Sequence, residues 1–229
     1  MKSKKIKASI DDGFQPELVK EANFDGIFEI PVLEKPRETF IPGGITPFSR
    51  RNEMPTNKEI IGFFEHDVTF ADVLRNPQDY IEDFRSRPAI IPPDCSLYRD
   101  APLAVQIGNI YKKNAIGRYF QSLGVNVFPL IRWGSRDTYT KDVLPEPVAF
   151  AGIPRNSLIV VSTYGCIKTK DDKYHFEAGL AECMKIIVPQ KVLVHGAMPK
   201  EIFDPYLNYA EFHHYPDWIT RKKGGRNGK

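Results

Sequence analysis

At 229 residues, 41 % of them hydrophobic and 27 % charged, the chain suffices for one large domain or two small ones and is too apolar to be disordered along its length. No apolar run approaches the ~20 residues that cross a bilayer, and three widely spaced cysteines (Cys95, Cys166 and Cys183) exclude a disulfide framework and a zinc ribbon. The net charge of +3 conceals an asymmetry: residues 1–7 carry four lysines and residues 221–229 five basic groups, without an acid in either, and the rest holds 23 basic groups against 29 acidic ones.

The expected division is a basic N-terminal segment (1–23), a single α/β domain (24–220) and a basic, flexible tail (221–229). Basic ends can hold polyanions without reading sequence; the plainer reading is a pair of solubilising tails. Residues 1–7 are followed by no apolar stretch, so the segment does not read as a secretory signal and the expected compartment is the cytosol.

In chain order, residues 26–31 read as a short strand whose proline suggests an edge or a strand end. Residues 34–58, dense in Pro, Gly, Arg and Asn, read as the longest irregular segment, functional or mobile by its length. Residues 60–64 read as a strand. Asn76 and Pro77 start a short helix reaching Phe84. A strand at Ala89–Ile91 ends in Pro92-Pro93-Asp94. Asp100 caps a helix over 101–123, in which Leu103, Ile107, Ile110, Ile116, Phe120 and Leu123 keep helical spacing and Gly124 supplies the stop. A strand at 125–131 follows at once.

Residues 141–157 form a second proline-rich connection, and 157–161 an uninterrupted apolar strand of the kind buried on both faces. A helix over 174–187 is closed by Pro189. Residues 191–194 are the last clear strand. Pro199 opens a short helix, and the aromatic-rich segment 206–219 packs back on the domain. Strands alternating with helices predict a mostly parallel sheet with βαβ units, as an open three-layer sandwich; the alternative is a partial or irregular β/α barrel, with about six strands visible.

Several standard sites are absent. The chain has no G-x-x-x-x-G-K-[ST] loop, no G-x-G-x-x-G after a strand, no H-E-x-x-H and no G-x-S-x-G elbow. The five histidines show no metal-ligand spacing, and neither a metal nor a cofactor is indicated.

The remaining candidates cluster at strand ends, where parallel sheets gather ligands. Asp94, fixed by two prolines, and His195, after the last clear strand, are the acid/base candidates. Arg132 and Arg136 offer planar forks for phosphate, Trp133 a face for stacking, and Asp137 a nearby acid. Ser162, Thr163, Gly165 and Lys168 combine hydroxyls, a glycine and a cation after a buried strand, the ingredients of an anion site. Each has a plainer reading as a turn, a salt bridge or core. Cys183 reads as core, whereas Cys95 and Cys166 lie close enough to strand ends to face a site.

Ile91-Pro-Pro-Asp94, Phe128-Pro-Leu-Ile-Arg-Trp-Gly134, Ser162-Thr-Tyr-Gly-Cys-Ile167, Gly179-Leu-Ala-Glu182 and His195-Gly-Ala-Met-Pro199 together resemble the signature blocks of an uncharacterised family, labelled a domain of unknown function, from bacteriophages, prophages and other mobile elements. The resemblance spans about residues 24–207. It implies a mobile-element origin and a bacterial host cytosol, and it implies no reaction and no catalytic residues. The readings that follow are a protein binding a phosphate-bearing ligand (a nucleotide or single-stranded nucleic acid), an enzyme acting on a small metabolite, or a non-enzymatic protein binding a host protein in replication control or counter-defence. Neither the oligomeric state nor a membrane role is indicated by the sequence.

Overall fold

The computed structural model describes residues 14–54 and 58–224. Residues 1–13 of the basic N-terminal segment and 225–229 of the basic tail lie outside the described residues. Two short strands, β1 (Phe24–Asp25) and β2 (Ile30–Pro31), pair antiparallel as a two-stranded sheet of their own, in which the proline of β2 is tolerated. The rest of the fold mixes helices with short parallel sheets.

The parallel part begins inside the segment that reads as irregular. β3 (Gly44–Pro47) pairs with β4 (Glu59–Gly62). Its glycine and proline disguise it, although three of its four residues are buried. From β4 the ladder continues through single parallel bridges, Ile61 to Ile90 and Ile90 to Val127, and then from Leu130 to Val160 of β5 (Leu158–Ser162). β6 (Lys191–His195) pairs with β5, and β7 (Glu211–Tyr215) with β6, again parallel. Seven segments thus follow one another in chain order with no reversal. β7 lies in the stretch expected only to pack back; its two histidines obscure the strand pattern.

The helices between them are α1 (Asp67–Arg75), α2 (Ile81–Arg85), α3 (Leu103–Ser122), α4 (Arg136–Tyr139), α5 (Lys170–Ile187) and α6 (Lys200–Phe203), with α7 (Trp218–Gly224) after β7. α3 starts two residues later than expected, with Pro102 rather than Asp100 at its cap position. At its end Gly124 has φ +86 and its N–H bonds back to the Gln121 carbonyl, a conformation that favours glycine. α5 starts earlier than its apolar spacing suggests because Thr169 and Asp172 form a reciprocal capping box.

Alternation along the strands sorts the core. Ile61, Phe63, Ile90, Val125 and Val127 pack with Phe70 of α1, Phe84 of α2 and Phe120 of α3. Ile131, Ile159, Val161, Val192 and Val194 pack with Phe176, Leu180, Cys183 and Ile187 of α5 and with Ile202 and Phe203. These are the residues of one face, and it carries the helices. The alternate residues (Ile45, Ile60, Ala89, Ile91, Phe128, Leu130, Leu158, Val160, Leu193 and Tyr215) form one cluster to which all seven segments contribute and no helix does. The second helical layer of a three-layer sandwich is not seen among the described residues.

The seam between the first and last strands is bridged. The Tyr215 hydroxyl donates to the Pro42 carbonyl at 2.9 Å. Arg221 of α7 reaches the outer side of β3 and β4 and forms a bidentate pair with buried Glu59, at 3.0 and 2.6 Å. Thr46 donates to the same carboxylate. Part of the expected flexible tail is therefore helical, and its first arginine is an internal ion partner.

Candidate functional site

Every parallel strand carries its last residues to one edge, and the expected site residues converge there to different degrees. A cavity of about 610 Å³ opens at this edge, within the size range of small-molecule sites. Its walls come from the loop after the Ile90 segment (Ser96 to Asp100), the end of the next segment (Ile131 to Gly134), the turn after β5 (Ser162, Gly165, Cys166) and the first turns of α5 (Asp171, Asp172, His175, Phe176).

Arg132 lines the cavity and holds Asp94 behind it, Nη1 to Oδ2 at 2.7 Å. Asp94 is buried, and its Oδ1 has no hydrogen-bond partner. Burial pushes this carboxyl above the usual carboxylate range, while Arg132 and then Lys113 pull it back. Arg132 therefore faces both a buried anion and the cavity.

Ser162 and His195 end the adjacent strands β5 and β6, paired in register. Their side chains share a hydrogen bond, Oγ to Nδ1, at 3.1 Å. The Tyr164 N–H donates to the same hydroxyl at 3.2 Å. Phe64 stacks on the His195 ring, and the Tyr164 ring meets it edge-on. Burial pushes the imidazole down to about 3, against the opposing pull of Asp217. A neutral ring at neutral pH is a hydrogen-bonding partner for Ser162, and a weak base.

Thr163 is buried, and its hydroxyl donates to the Ala197 carbonyl at 2.6 Å, which fastens the β5 and β6 ends together. Trp133 lines the cavity, but its indole N–H donates to the His175 carbonyl at 3.2 Å and its ring packs on Phe176. Gly179 makes this possible, since a Cβ there would collide with the indole. Arg136 is exposed and paired with Asp142 at 2.7 Å; Lys168 is exposed; neither they nor Asp137 line the cavity. Cys166 lines it, whereas Cys95 is buried, and burial pushes both thiols up, Cys95 to about 12.

Four contributors are not evident from strand ends. Arg99 lines the cavity and pairs across it, Nη1 to Asp171 at 2.7 Å and Nη2 to Asp172 at 2.6 Å, tying the loop to α5. His175 meets the Tyr139 hydroxyl through Nδ1 at 3.0 Å. The capping-box spacing Thr169-x-x-Asp172 is the sequence signal that locates the acidic wall. Among the described residues no cluster of His, Cys, Asp and Glu could hold a metal ion.

A family model described as "Domain of unknown function (DUF4417)" matches residues 22–216. The chain is similar to the Gene 1 protein of Mycobacterium phage L5, 30 % identical over 210 residues, which cover 88 % of this chain and 86 % of that protein. It is also similar to the Gene 1 protein of Mycobacterium phage D29, 28 % identical over 203 residues, covering 86 % and 69 %. No solved structure matches it significantly. Among the described residues no helix is long and apolar enough to cross a membrane.

Proposed function

The chain belongs to the DUF4417 family and resembles phage proteins, and from that premise we propose that it binds a small phosphate-bearing ligand of nucleotide size at the carboxyl edge of its parallel strands. The observation that carries this reading is Arg132: a guanidinium paired on one side with buried Asp94 and lining, on the other, a cavity of about 610 Å³. A fork fixed in place by a carboxylate is pre-organised for a phosphate. Ser162, Gly165 and Arg99 line the same cavity. The cavity favours a mononucleotide over a long single strand, which needs an open groove.

The same reading takes the domain, 24–220, as an irregular β/α barrel. Right-handed crossovers between strands in unreversed order put every helix on one face, so the other face must close on itself. The helix-free cluster fed by all seven segments supports this. Sites in such barrels lie at the carboxyl ends of the strands. The Ser162–His195 pair supports a second reading, an enzyme acting on a small metabolite, with Ser162 as the reacting or orienting hydroxyl. The bacterial host cytosol is the compartment in which either would act.

Titration calorimetry with AMP, ADP and a short single-stranded oligonucleotide tests the binding reading. One mononucleotide per chain is expected, with affinity reduced at least about tenfold in Arg132→Lys, which keeps the charge and removes the fork. Absence of binding by all three probes, or equal affinity in Arg132→Lys and Arg99→Ala, overturns it.

A further inference from the structure

A guanidinium fork engages only the phosphate of a ligand, and a cavity of about 610 Å³ leaves room beside it for the rest of a nucleotide. Four aromatic side chains line that room: Tyr98, Trp133, His175 and Phe176. Three of them are committed to the protein. Phe176 is buried in the core. The Trp133 indole is bonded to the His175 carbonyl and tilted against Phe176, with 5.1 Å between ring centroids. The His175 ring bonds the Tyr139 hydroxyl and meets the ring of Tyr174 edge-on. The fourth, Tyr98, is 65 % exposed. A lone exposed ring on an open surface needs no explanation; this one lines a cavity.

The loop that carries Tyr98 is held at each step. The Asp67 carboxylate accepts from the Ser96 N–H at 3.1 Å and from its hydroxyl at 2.7 Å. The Ser96 carbonyl accepts from the Asn109 side-chain amide of α3 at 2.7 Å. Leu97 is buried. The Tyr98 carbonyl accepts from the Ala101 N–H at 3.1 Å, closing a turn, and Arg99 is paired with Asp171 and Asp172 of α5. The backbone of Tyr98 is thereby fixed while its ring stays exposed. A ring presented in this way stacks on a planar base at low entropic cost, because few torsions remain to be set.

We propose that Tyr98 is the base-stacking residue of the cavity, so that the ligand is a nucleotide, with its base on Tyr98 and its phosphate on Arg132, and not a sugar phosphate. The stacking role expected of Trp133 passes to Tyr98, because the indole is already held by His175 and Phe176. This rests on the phosphate reading above and names the class of ligand that the site takes.

The test is calorimetry with AMP and with ribose 5-phosphate, which share a sugar and a phosphate and differ in the base. The wild-type protein is expected to bind AMP at least about tenfold more tightly than ribose 5-phosphate. Tyr98→Ala should lower AMP affinity about tenfold and move ribose 5-phosphate affinity by less than about twofold, whereas Tyr98→Phe, which keeps the ring, should bind AMP as the wild type does. Arg132→Lys should weaken both probes together. If Tyr98→Ala does not fold, Tyr98→Leu, which fills the space without a π face, takes its place. Loss of both probes alike in Tyr98→Ala would mean that the ring positions the loop and not a base, and overturns the proposal. Unchanged AMP affinity in that variant, or equal wild-type affinity for the two probes, overturns the stacking and leaves the phosphate reading intact. Absence of binding by both probes overturns both.

Discussion

The imidazole of His195 lies flat on the ring of Phe64, with centroids 4.0 Å apart and planes 10° from parallel. Phe64 follows β4 and His195 ends β6, four strand steps away along the ladder. On a flat sheet those steps would separate them by about 19 Å. Their contact therefore requires the strands to curl, and it places both rings over the inner cluster at the edge where the cavity opens.

Burial holds His195 neutral, pushed down to about 3. Between that value and the ordinary ~6.5 the unfolded chain binds a proton here that the folded chain does not. The contribution is whole above about pH 6.5 and is lost as pH falls toward 3, by up to about 4–5 kcal/mol. Urea unfolding of the wild type from pH 7 to 4 should show this decline, and His195→Gln should flatten it. Equal slopes would rule out the buried neutral ring.

The Asp94–Arg132 pair should behave as a coupled unit. Arg132→Met leaves a buried carboxylate without its ion partner and should destabilise the fold by about 3–5 kcal/mol. Asp94→Leu with Arg132→Met should cost clearly less than the sum of the single changes, with a coupling of about 2–3 kcal/mol in chemical denaturation. Strict additivity would mean that the two side chains act independently.

α7 holds the seam through one arginine. Arg221→Ala strands the buried Glu59 carboxylate and should destabilise by about 2–4 kcal/mol, visible as a lower Tm. Lys222 and Lys223 are exposed, and their alanine variants should stay within about 0.5 kcal/mol of wild type. A wild-type Tm for Arg221→Ala would show that the clasp is dispensable.

Gly179 lets the Trp133 indole approach α5. Gly179→Ala should displace the ring and cost about 1–3 kcal/mol by overpacking. Since Trp218 is the only other tryptophan, the Trp133 emission should shift in a Trp218→Phe background. An unchanged spectrum would place the indole elsewhere.

The local features were readable because their causes are local. Apolar spacing located α3 and α5, Gly124 ended α3 through its own backbone, and buried runs marked β4, β5 and β6. β3 was hidden because Gly44 and Pro47 break the expected strand composition, and β7 because His213 and His214 interrupt its apolar pattern; both strands are held by their neighbours. Arg132, Trp133, Ser162 and Gly165 reached the cavity from strand-end reasoning, while Arg136, Asp137 and Lys168 follow turns that carry them past it.

The sequence by itself located α3, α5, β4, β5 and β6 and the polar groups at the strand ends, because periodicity and turn chemistry act over a few residues. Only the tertiary structure decided that Phe64 meets His195, that Arg221 clasps Glu59, and that buried Lys113 donates to the Leu130 carbonyl. Those contacts join residues 131, 162 and 17 positions apart, and side-chain packing and buried charge, rather than local propensity, bring them together.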